Sequence, residues 1–406
     1  MKNNVIIIGG GAAGLCSAIA IKQKNPALSV RLLEALPRVG KKLATTGNGR
    51  CNITNKNILK ERYHGKNTDF AMYALSKYSG KKTEDFFHTI GVDFIFEGDK
   101  GYPASLQAAS VVDCLRFAAE EVGVIICTET KVTNIQLTGE LYKVISGNMS
   151  FLAENVIIAA GLLSGGERLG SDGQIFALLK KSGFSTVKTY PAIVQLKTEP
   201  ETVRQLKGIK VNAIVSLKSN SRMLRQEYGE VLFCDYGLSG PPILQVSGAA
   251  ATAQSPVISL DLMPEKTLEA LKTELKERIS LLSFRTADEF FTGMMNKRLG
   301  QVLIKSAGYK LNMSVSAFDN NAAQKIATLI KNLNFTVTGN TGFINSQVTS
   351  GGLDTRQFDP KTMMSRESKG FYAIGEILDI DGDCGGFNLQ WAWSSALCAA
   401  DAITKK

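Results

Sequence analysis

Val5-Ile6-Ile7-Ile8 runs directly into Gly9-Gly10-Gly11-Ala12-Ala13-Gly14, and Glu34 stands 20 residues beyond Gly14. A short run of β-branched residues reads as a strand buried on both faces of a parallel sheet. The spacing predicts a helix from Ala12 to Lys24, stopped by Asn25-Pro26, and a second strand over Val30–Leu33 that Glu34 closes. Each part has a physical task. Gly9 permits a tight turn, Gly11 lets backbone approach a pyrophosphate, and Gly14 lets helix and strand pack closely. The helix start offers unbonded N–H groups and a positive dipole end to phosphates. Glu34 is placed to accept hydrogen bonds from ribose hydroxyls, and its charge disfavours a 2′-phosphate. Strand, Gly-rich turn, helix and acid together define a dinucleotide-binding βαβ unit.

The uncharged stretch from Val5 to Ile21 could be mistaken for a secretory leader, but Gly9-Gly10-Gly11 would weaken the helix that such a leader forms. Two further segments separate FAD from NAD. Gly40-Lys41-Lys42 and Thr46-Gly47-Asn48-Gly49-Arg50-Cys51-Asn52 form a second Gly-rich, basic loop soon after Glu34. FAD enzymes use such a loop on the ribityl chain and pyrophosphate, where NAD domains continue into another strand–helix unit. Near the C-terminus, Phe371–Ile374 reads as a strand, followed by Gly375-Glu376, Asp379-Ile380-Asp381-Gly382 and Gly385-Gly386-Phe387-Asn388. A helix is predicted next, from about Leu389 to Ile403. A helix start at a flavin would stabilise negative charge near N1 and O2 of the reduced ring.

Gly47-Asn48-Gly49-Arg50-Cys51-Asn52-Ile53-Thr54-Asn55 resembles the G-G-R-C-N-x-T-N signature of the BaiN-like, or aminoacetone-oxidase-like, family of bacterial NAD(P)/FAD-dependent oxidoreductases. Tyr236-Gly237-Leu238-Ser239-Gly240-Pro241, Val348-Thr349-Ser350-Gly351-Gly352, and Gly385-Gly386-Phe387-Asn388-Leu389-Gln390-Trp391-Ala392 agree with it in order along the chain. The chain departs from the family pattern at Ala159-Ala160-Gly161-Leu162, Cys234-Asp235 and Phe387. The resemblance implies an α/β fold of the two-dinucleotide-binding-domain flavoprotein type, with a split Rossmann-type FAD domain, an inserted β-rich domain and a small helical domain. The implied divisions are 1–190 with 345–406 for FAD, 191–263 with 334–344 for the β-rich insert, and 264–333 for the helices. Implied FAD contacts are Gly9, Gly11, Ala12, Ala13, Gly14, Glu34 and Ala35, then Lys41, Lys42 and Gly47 through Asn52. Val132 (by backbone, to adenine), Ala160, Gly161, Gly375, Glu376, Gly386, Phe387, Asn388 and Leu389 complete the set.

Hydrophobic residues make up 44% and charged residues 21% of the 406, a balance that excludes disordered and membrane-embedded classes. No membrane span is expected. The formal net charge is +10, spread through helical stretches without an aromatic-interleaved basic tract, so a solvated basic surface is expected and nucleic acid is not. Seven scattered cysteines with no CxxC pair, and two histidines, argue against a disulfide framework and against a metal site, and point to the cytoplasm. Between the two FAD segments, strand-like stretches at Val124–Cys127, Val132–Ile135 and Asn155–Ala160 extend the sheet. From about Tyr190, short strand-like segments separated by Gly, Asn and Ser suggest a partial barrel, followed by a Lys- and Leu-rich helical stretch to about Asn332.

A flavin carries its own reactivity, so the protein is expected to supply position, electrostatics and access. The expected chemistry is reduction by NADH or NADPH acting transiently, then hydride transfer from flavin N5 to a small acceptor such as an activated enone or carbonyl. Cys51, in the loop expected near the ring, is a candidate redox or charge-transfer partner, against a reading as a small packed residue. Tyr236, with Asp235 and Ser239 nearby, is a candidate proton donor, against a turn residue with its bonds satisfied. The rival functions are an FAD-dependent tRNA-modifying enzyme, which the basic charge would suit, and a protein that holds FAD without turnover.

Overall fold

Val5, Ile6 and Ile7 expose no surface because β1 (Lys2–Ile8) has a parallel neighbour on each edge. The computed structural model describes residues 2–405, so positions 1 and 406, the outer limits of the expected FAD domain, lie outside the described residues. On one side β2 (Val30–Leu33) pairs with β1 from Val5↔Val30 to Ile8↔Leu33, and Ile125–Cys127 continues the sheet beyond it. On the other side Met149–Ile158 pairs with β1 from Lys2↔Leu152 to Ile8↔Ile158. This long strand is shared along its far edge. Its first half pairs antiparallel with Leu141–Ser146, and its second half pairs parallel with Phe371–Ala373. The C-terminal segment therefore re-enters the sheet beside the strand that neighbours β1, which makes the dinucleotide fold discontinuous in sequence. Asn134–Thr138 completes the seven strands. Val132, expected at the start of that strand, precedes it in irregular backbone.

α1 (Ala12–Lys24) connects β1 to β2 and is buried over nearly its whole first half, with Leu15, Cys16, Ala18 and Ile19 fully enclosed. The C-terminal helix, Phe387–Thr404, packs against α1 and is buried from Gln390 through Ala400. A helix apolar all round is a core helix when another element covers its second face. Among the described residues no helix is long and apolar enough to cross a membrane.

Asp401, near the end of this helix, would be disfavoured by the helix dipole alone. It instead accepts bonds from Lys24 Nζ, Lys77 Nζ and the Tyr78 hydroxyl. Burial pushes its carboxyl up, but these partners outweigh burial and hold it at about 2. A depressed carboxylate stabilises the fold above its ordinary pKa, and that contribution is lost as pH falls through the folded value. Asp401→Asn should therefore lower unfolding free energy by about 1–2 kcal/mol at pH 7. The deficit should shrink as pH drops from about 4 toward 2, read by urea titration at each pH.

The chain forms two compact units, one running to Pro191 and resuming at Phe343, the other spanning Ala192–Gly342. In the second unit six strands close a barrel in the order Leu196–Thr198, Gly237–Ser239, Arg222–Phe233, Lys210–Ser219, Pro256–Asp261 and Leu333–Asn340. The sequence suggested only a partial barrel; Leu333–Asn340 pairs back onto Leu196–Thr198 and closes it. Helices Leu268–Leu281, Lys297–Ser306 and Ala322–Lys331 belong to the same unit, where Leu271, Leu303 and Ile326 share one core with Val215 and Phe335.

Candidate cofactor site

The Gly-rich turn is held by contacts that leave no room for side chains except at one position. A Cβ on Gly14 would fall 1.9 Å from Gly9 O, and one on Gly9, whose φ is +108°, would fall 2.5 Å from Ala159 O. A Cβ on Gly10 would meet Val39 at 2.7 Å and Glu34 Oε2 at 3.0 Å. At Gly11 nothing lies within 4 Å. Packing of the chain thus restricts side chains at 9, 10 and 14 but not at 11, where the backbone stays open to approach. α1 begins there with no side-chain cap and no acid in its first turn, so its N–H groups remain available to an anion.

Glu34 is buried; its Oε2 accepts from Gly10 N–H at 2.7 Å and its Oε1 from Leu36 N–H at 2.8 Å. Burial pushes the carboxyl up, and the bonds from Leu36 and Gly10, with Lys41 nearby, offset only part of this. An ionised carboxylate has about four acceptor positions, and the Ala35 N–H also acts on it, so room remains for about one further donor such as a ribose hydroxyl. Thr130 N–H donates to Glu34 O at 2.8 Å, which sets Val132 beside the same strand end. Ala35 and Lys41 are exposed at this rim. Ala160 follows the carbonyl that Gly9 approaches, and Gly161 has φ +65° with open space around its Cα.

The C-terminal loop meets the turn directly. Gly375, at φ +69°, lies against Ala13, where a Cβ would come to 3.1 Å from the Ala13 Cβ. Lys42 Nζ donates to Glu376 Oε2 at 2.6 Å, and Glu376 Oε1 accepts from Thr349 N–H at 3.0 Å. The second Gly-rich loop turns through left-handed backbone at Gly47, Asn48 and Cys51; Gly47, Asn48 and Gly49 are exposed. Arg50 pairs with Glu97 and lies over the Tyr102 ring at 4.5 Å. Asn52 is buried, and a Cβ on Gly386 would fall 2.7 Å from its Oδ1.

Other expected contacts are engaged within the protein. The Asn388 amide accepts from Gly382 N–H at 2.8 Å and donates to Gly382 O at 2.7 Å. The Phe387 ring is buried edge-on against Tyr63 at 6.0 Å, and Leu389 is half-buried. Their side chains shape the loop, so contact with a cofactor there falls to backbone. Cys51 has no exposed surface, and burial pushes its thiol up to about 12 although Thr46 pulls the other way. A thiol so held is not the thiolate that redox or charge-transfer partnership needs. Tyr236 lies in the second unit. Burial and the Cys234 thiol raise its hydroxyl further above the ordinary tyrosine value, and Asp235 pairs with Lys207 at 2.8 Å. A phenol shifted upward is a poorer proton donor.

Sequence reasoning singled out Glu376 but not three further acids and a glutamine. Glu376, Asp379, Asp381 and Asp383 alternate along one loop, and the last three are almost wholly buried. Gln390 is fully buried and accepts from the Thr54 hydroxyl at 2.5 Å. Its amide nitrogen lies 2.8 Å from Tyr78 O, 2.9 Å from Thr83 Oγ1 and 2.8 Å from Ser394 Oγ. The legible signal was charge and amide recurring within an otherwise apolar segment. Among the described residues, Asn52 Oδ1 and Asp381 Oδ1 are buried without hydrogen-bond partners. Burial pushes the Asp381 carboxyl up to about 6, with His64 and Ser350 opposing and Asp379 and Glu376 reinforcing. Two orphaned acceptors, an uncapped α1 start and an open glycine fit a ligand with phosphates and several O–H or N–H donors, as FAD has. Among the described residues no group of three or more His, Cys, Asp or Glu side chains is arranged to hold a metal ion.

Residues 3–402 match the HI0933-like protein Rossmann domain family. A 3-dehydro-bile acid delta(4,6)-reductase of Clostridium scindens is 32% identical over 408 residues, covering 100% of both chains. A ribosomal RNA dihydrouridine synthase of Haemophilus influenzae is 27% identical, over 99% of this chain and 98% of its own. Among solved structures, a 3-ketosteroid-delta4-(5alpha)-dehydrogenase from Rhodococcus jostii RHA1 superposes with a TM-score of 0.50 at 12% identity, covering 100% of this chain and 97% of its own, a likeness of fold.

Proposed function

The chain belongs to the HI0933-like Rossmann-domain family and is an FAD-dependent oxidoreductase, and we propose that it reduces a carbon–carbon double bond conjugated to a carbonyl in a small organic acceptor, with NADH or NADPH as its reductant. The observation that carries this reading is the full-length similarity to the bile acid reductase. Its name describes hydrogenation of double bonds in a 3-oxo steroid. The dihydrouridine synthase, similar over the same length, also adds hydrogen to a double bond conjugated with a carbonyl. The two substrates differ greatly in size, and the bond chemistry is what they share.

FAD, when bound, supplies hydride transfer at N5. The chain's own residues do the rest. The α1 N–H groups and Gly11 receive the pyrophosphate, and Glu34 takes the adenosine ribose. The Lys42–Glu376 pair ties the second Gly-rich loop to the C-terminal loop, so the two would hold the cofactor as one unit. The Phe387–Thr404 helix presents its N-terminus beside Asn52, where a positive dipole end favours negative charge.

Anaerobic titration of the flavin-loaded protein with NADPH and with NADH should bleach the visible flavin absorbance with at least one donor. An enone acceptor should then restore it stoichiometrically. Bands unchanged by both donors would overturn the pyridine-nucleotide link. A second reading takes a uracil in RNA as the conjugated acceptor; the net charge of +10 and the full-length similarity to the RNA-modifying relative favour it. RNA that copurifies at low salt and is lost steeply as salt rises would support this reading over a free small molecule.

A further inference from the structure

All four acids between Glu376 and Asp383 have bonds within the protein, Asp381 from the Ser350 hydroxyl, but one of them keeps a buried oxygen unpartnered. Glu376 accepts from Lys42 and from Thr349 N–H, and Asp379 accepts from Lys66 N–H at 2.9 Å. Asp383 meets His64 Nε2 at 2.8 Å and Arg62 Nη1 at 3.2 Å. Asp381 is different. It is 3% exposed, and its Oδ1 has no hydrogen-bond partner among the described residues. Its backbone is fixed all the same: Asp381–Gly382 pairs antiparallel with Tyr63–His64, and Gly382 is clasped on both sides by the Asn388 amide. A buried carboxyl oxygen with no partner costs free energy unless a donor reaches it.

We propose that Asp381 Oδ1 accepts a hydrogen bond from a donor on bound FAD, making this carboxyl a cofactor-positioning group whose ionisation sets FAD affinity. The proposal rests on the reading that Gly375-Glu376 and Gly386–Leu389 hold FAD, since Asp381 lies between them. FAD carries such donors on its ribityl chain and on its ring, whereas its phosphates would repel a carboxylate. The groups that face Asp381 are His64 from the paired strand, the Ser350 hydroxyl, and Asp379 and Glu376 from its own loop. Lys66 and Asp354 act on it at one remove through Asp379, and Lys42 through Glu376.

The sign of the pH effect follows. Without FAD the carboxyl holds its proton up to about 6, and a donor from FAD favours the charged form. FAD binding therefore releases a proton, and affinity should strengthen as pH rises toward 6 and level off above it. For folding the sign is opposite. A raised carboxyl stabilises the FAD-free fold below its unfolded pKa, and that contribution is lost as pH rises through the folded one.

Titrating FAD into the flavin-stripped full chain, followed by flavin fluorescence from pH 5 to 8, tests this. Asp381→Asn should weaken FAD binding about tenfold at pH 7, the difference between a charged and a neutral acceptor, and should flatten the pH profile. The same variant should raise the melting temperature of the FAD-free chain, because a buried charge is removed. Asp381→Leu should move both readouts further in the same directions. Opposite movement of affinity and FAD-free stability separates a cofactor role from a structural one. Unchanged affinity in both variants, or affinity and stability falling together, would overturn the proposal. If the unsubstituted chain does not bind FAD, the cofactor reading itself has failed.

Discussion

Gly11→Val should give a folded protein that has lost FAD, whereas Gly14→Val should not give a folded protein. The two glycines belong to one motif and are separated by two alanines, but the structure places a packing demand on Gly14 alone. At Gly14 the new Cβ would sit 1.9 Å from Gly9 O. Gly9 has little room to retreat, because a Cβ on it would already fall 2.5 Å from Ala159 O and 2.9 Å from the Ala160 Cα. The strain would have to move α1 away from β1, opening the most enclosed part of the core around Ile6, Ile7 and Leu15. Overpacking of that kind typically costs about 1–3 kcal/mol, and more where backbone meets backbone. Gly11 has φ −82° and ψ −166°, a conformation open to any residue, and no atom lies within 4 Å of its added Cβ. Valine there costs about 1 kcal/mol as a poorer helix N-cap. Its branched side chain would occupy the approach to the α1 N–H groups, so FAD affinity should fall by about a hundredfold or more, about 2.7 kcal/mol. Thermal melts by circular dichroism and flavin content after gel filtration separate the two outcomes. Flavin retained at full occupancy by Gly11→Val would remove the turn from the cofactor site.

The difference between these glycines also shows what the sequence could and could not reveal. α1 and β2 were legible to the residue, and β1 in its buried half, because their signals are local: β-branched runs, a Gly-rich turn, and Asn25-Pro26 as a stop; the polar start of β1 from Lys2 to Asn4 carries no such signal. The return of Phe371–Ala373 to the sheet came from the family resemblance, since no local pattern says which strand it will pair with. Barrel closure was missed for the same reason. Leu196–Thr198 and Leu333–Asn340 are each ordinary short strands far apart in sequence, and their pairing follows from how the strands between them curl, not from either segment. In the site, glycine positions were readable because a turn or a close approach excludes other residues. Glu34 was readable by its spacing, but the buried acids of the C-terminal loop were not. Burial of Asp379, Asp381 and Asp383 contradicts what charge alone predicts, and only the packing of Tyr63–His64 and Asn388 around them makes it tenable. Cys51 shows the reverse case: its loop was expected at the cofactor, and of the two readings open for its side chain the buried thiol agrees with the small packed residue.

Gln390→Leu should destabilise the protein by about 3–5 kcal/mol although leucine matches the apolar character of the surrounding helix. Gln390 exposes no surface and joins three elements to the C-terminal helix. Its Oε1 accepts from Thr54, and its Nε2 reaches Tyr78 O and Thr83 Oγ1, with Ser394 beside them. Leucine would strand the Thr54 hydroxyl and remove a donor from Thr83, each at about 1–3 kcal/mol for a buried polar group left unpaired. Tyr78 O would keep the Ser394 hydroxyl, which limits the loss there. The effect should not stop at stability. Thr54 O lies where a Gly386 Cβ would come to 2.5 Å, Asn55 Nδ2 holds Gly385 O at 2.8 Å, and Trp393 Nε1 holds Ile53 O at 3.0 Å. Gln390 thus fixes the strand that sets the distance between Asn52 and the start of the Phe387–Thr404 helix. Loosening it should raise the FAD dissociation rate well beyond what lost global stability alone produces. Urea unfolding of the flavin-loaded chain gives the first quantity, and stopped-flow recovery of flavin fluorescence on dilution gives the second. A variant that unfolds more easily yet releases FAD at the unsubstituted rate would confine Gln390 to the core and detach the helix start from the cofactor.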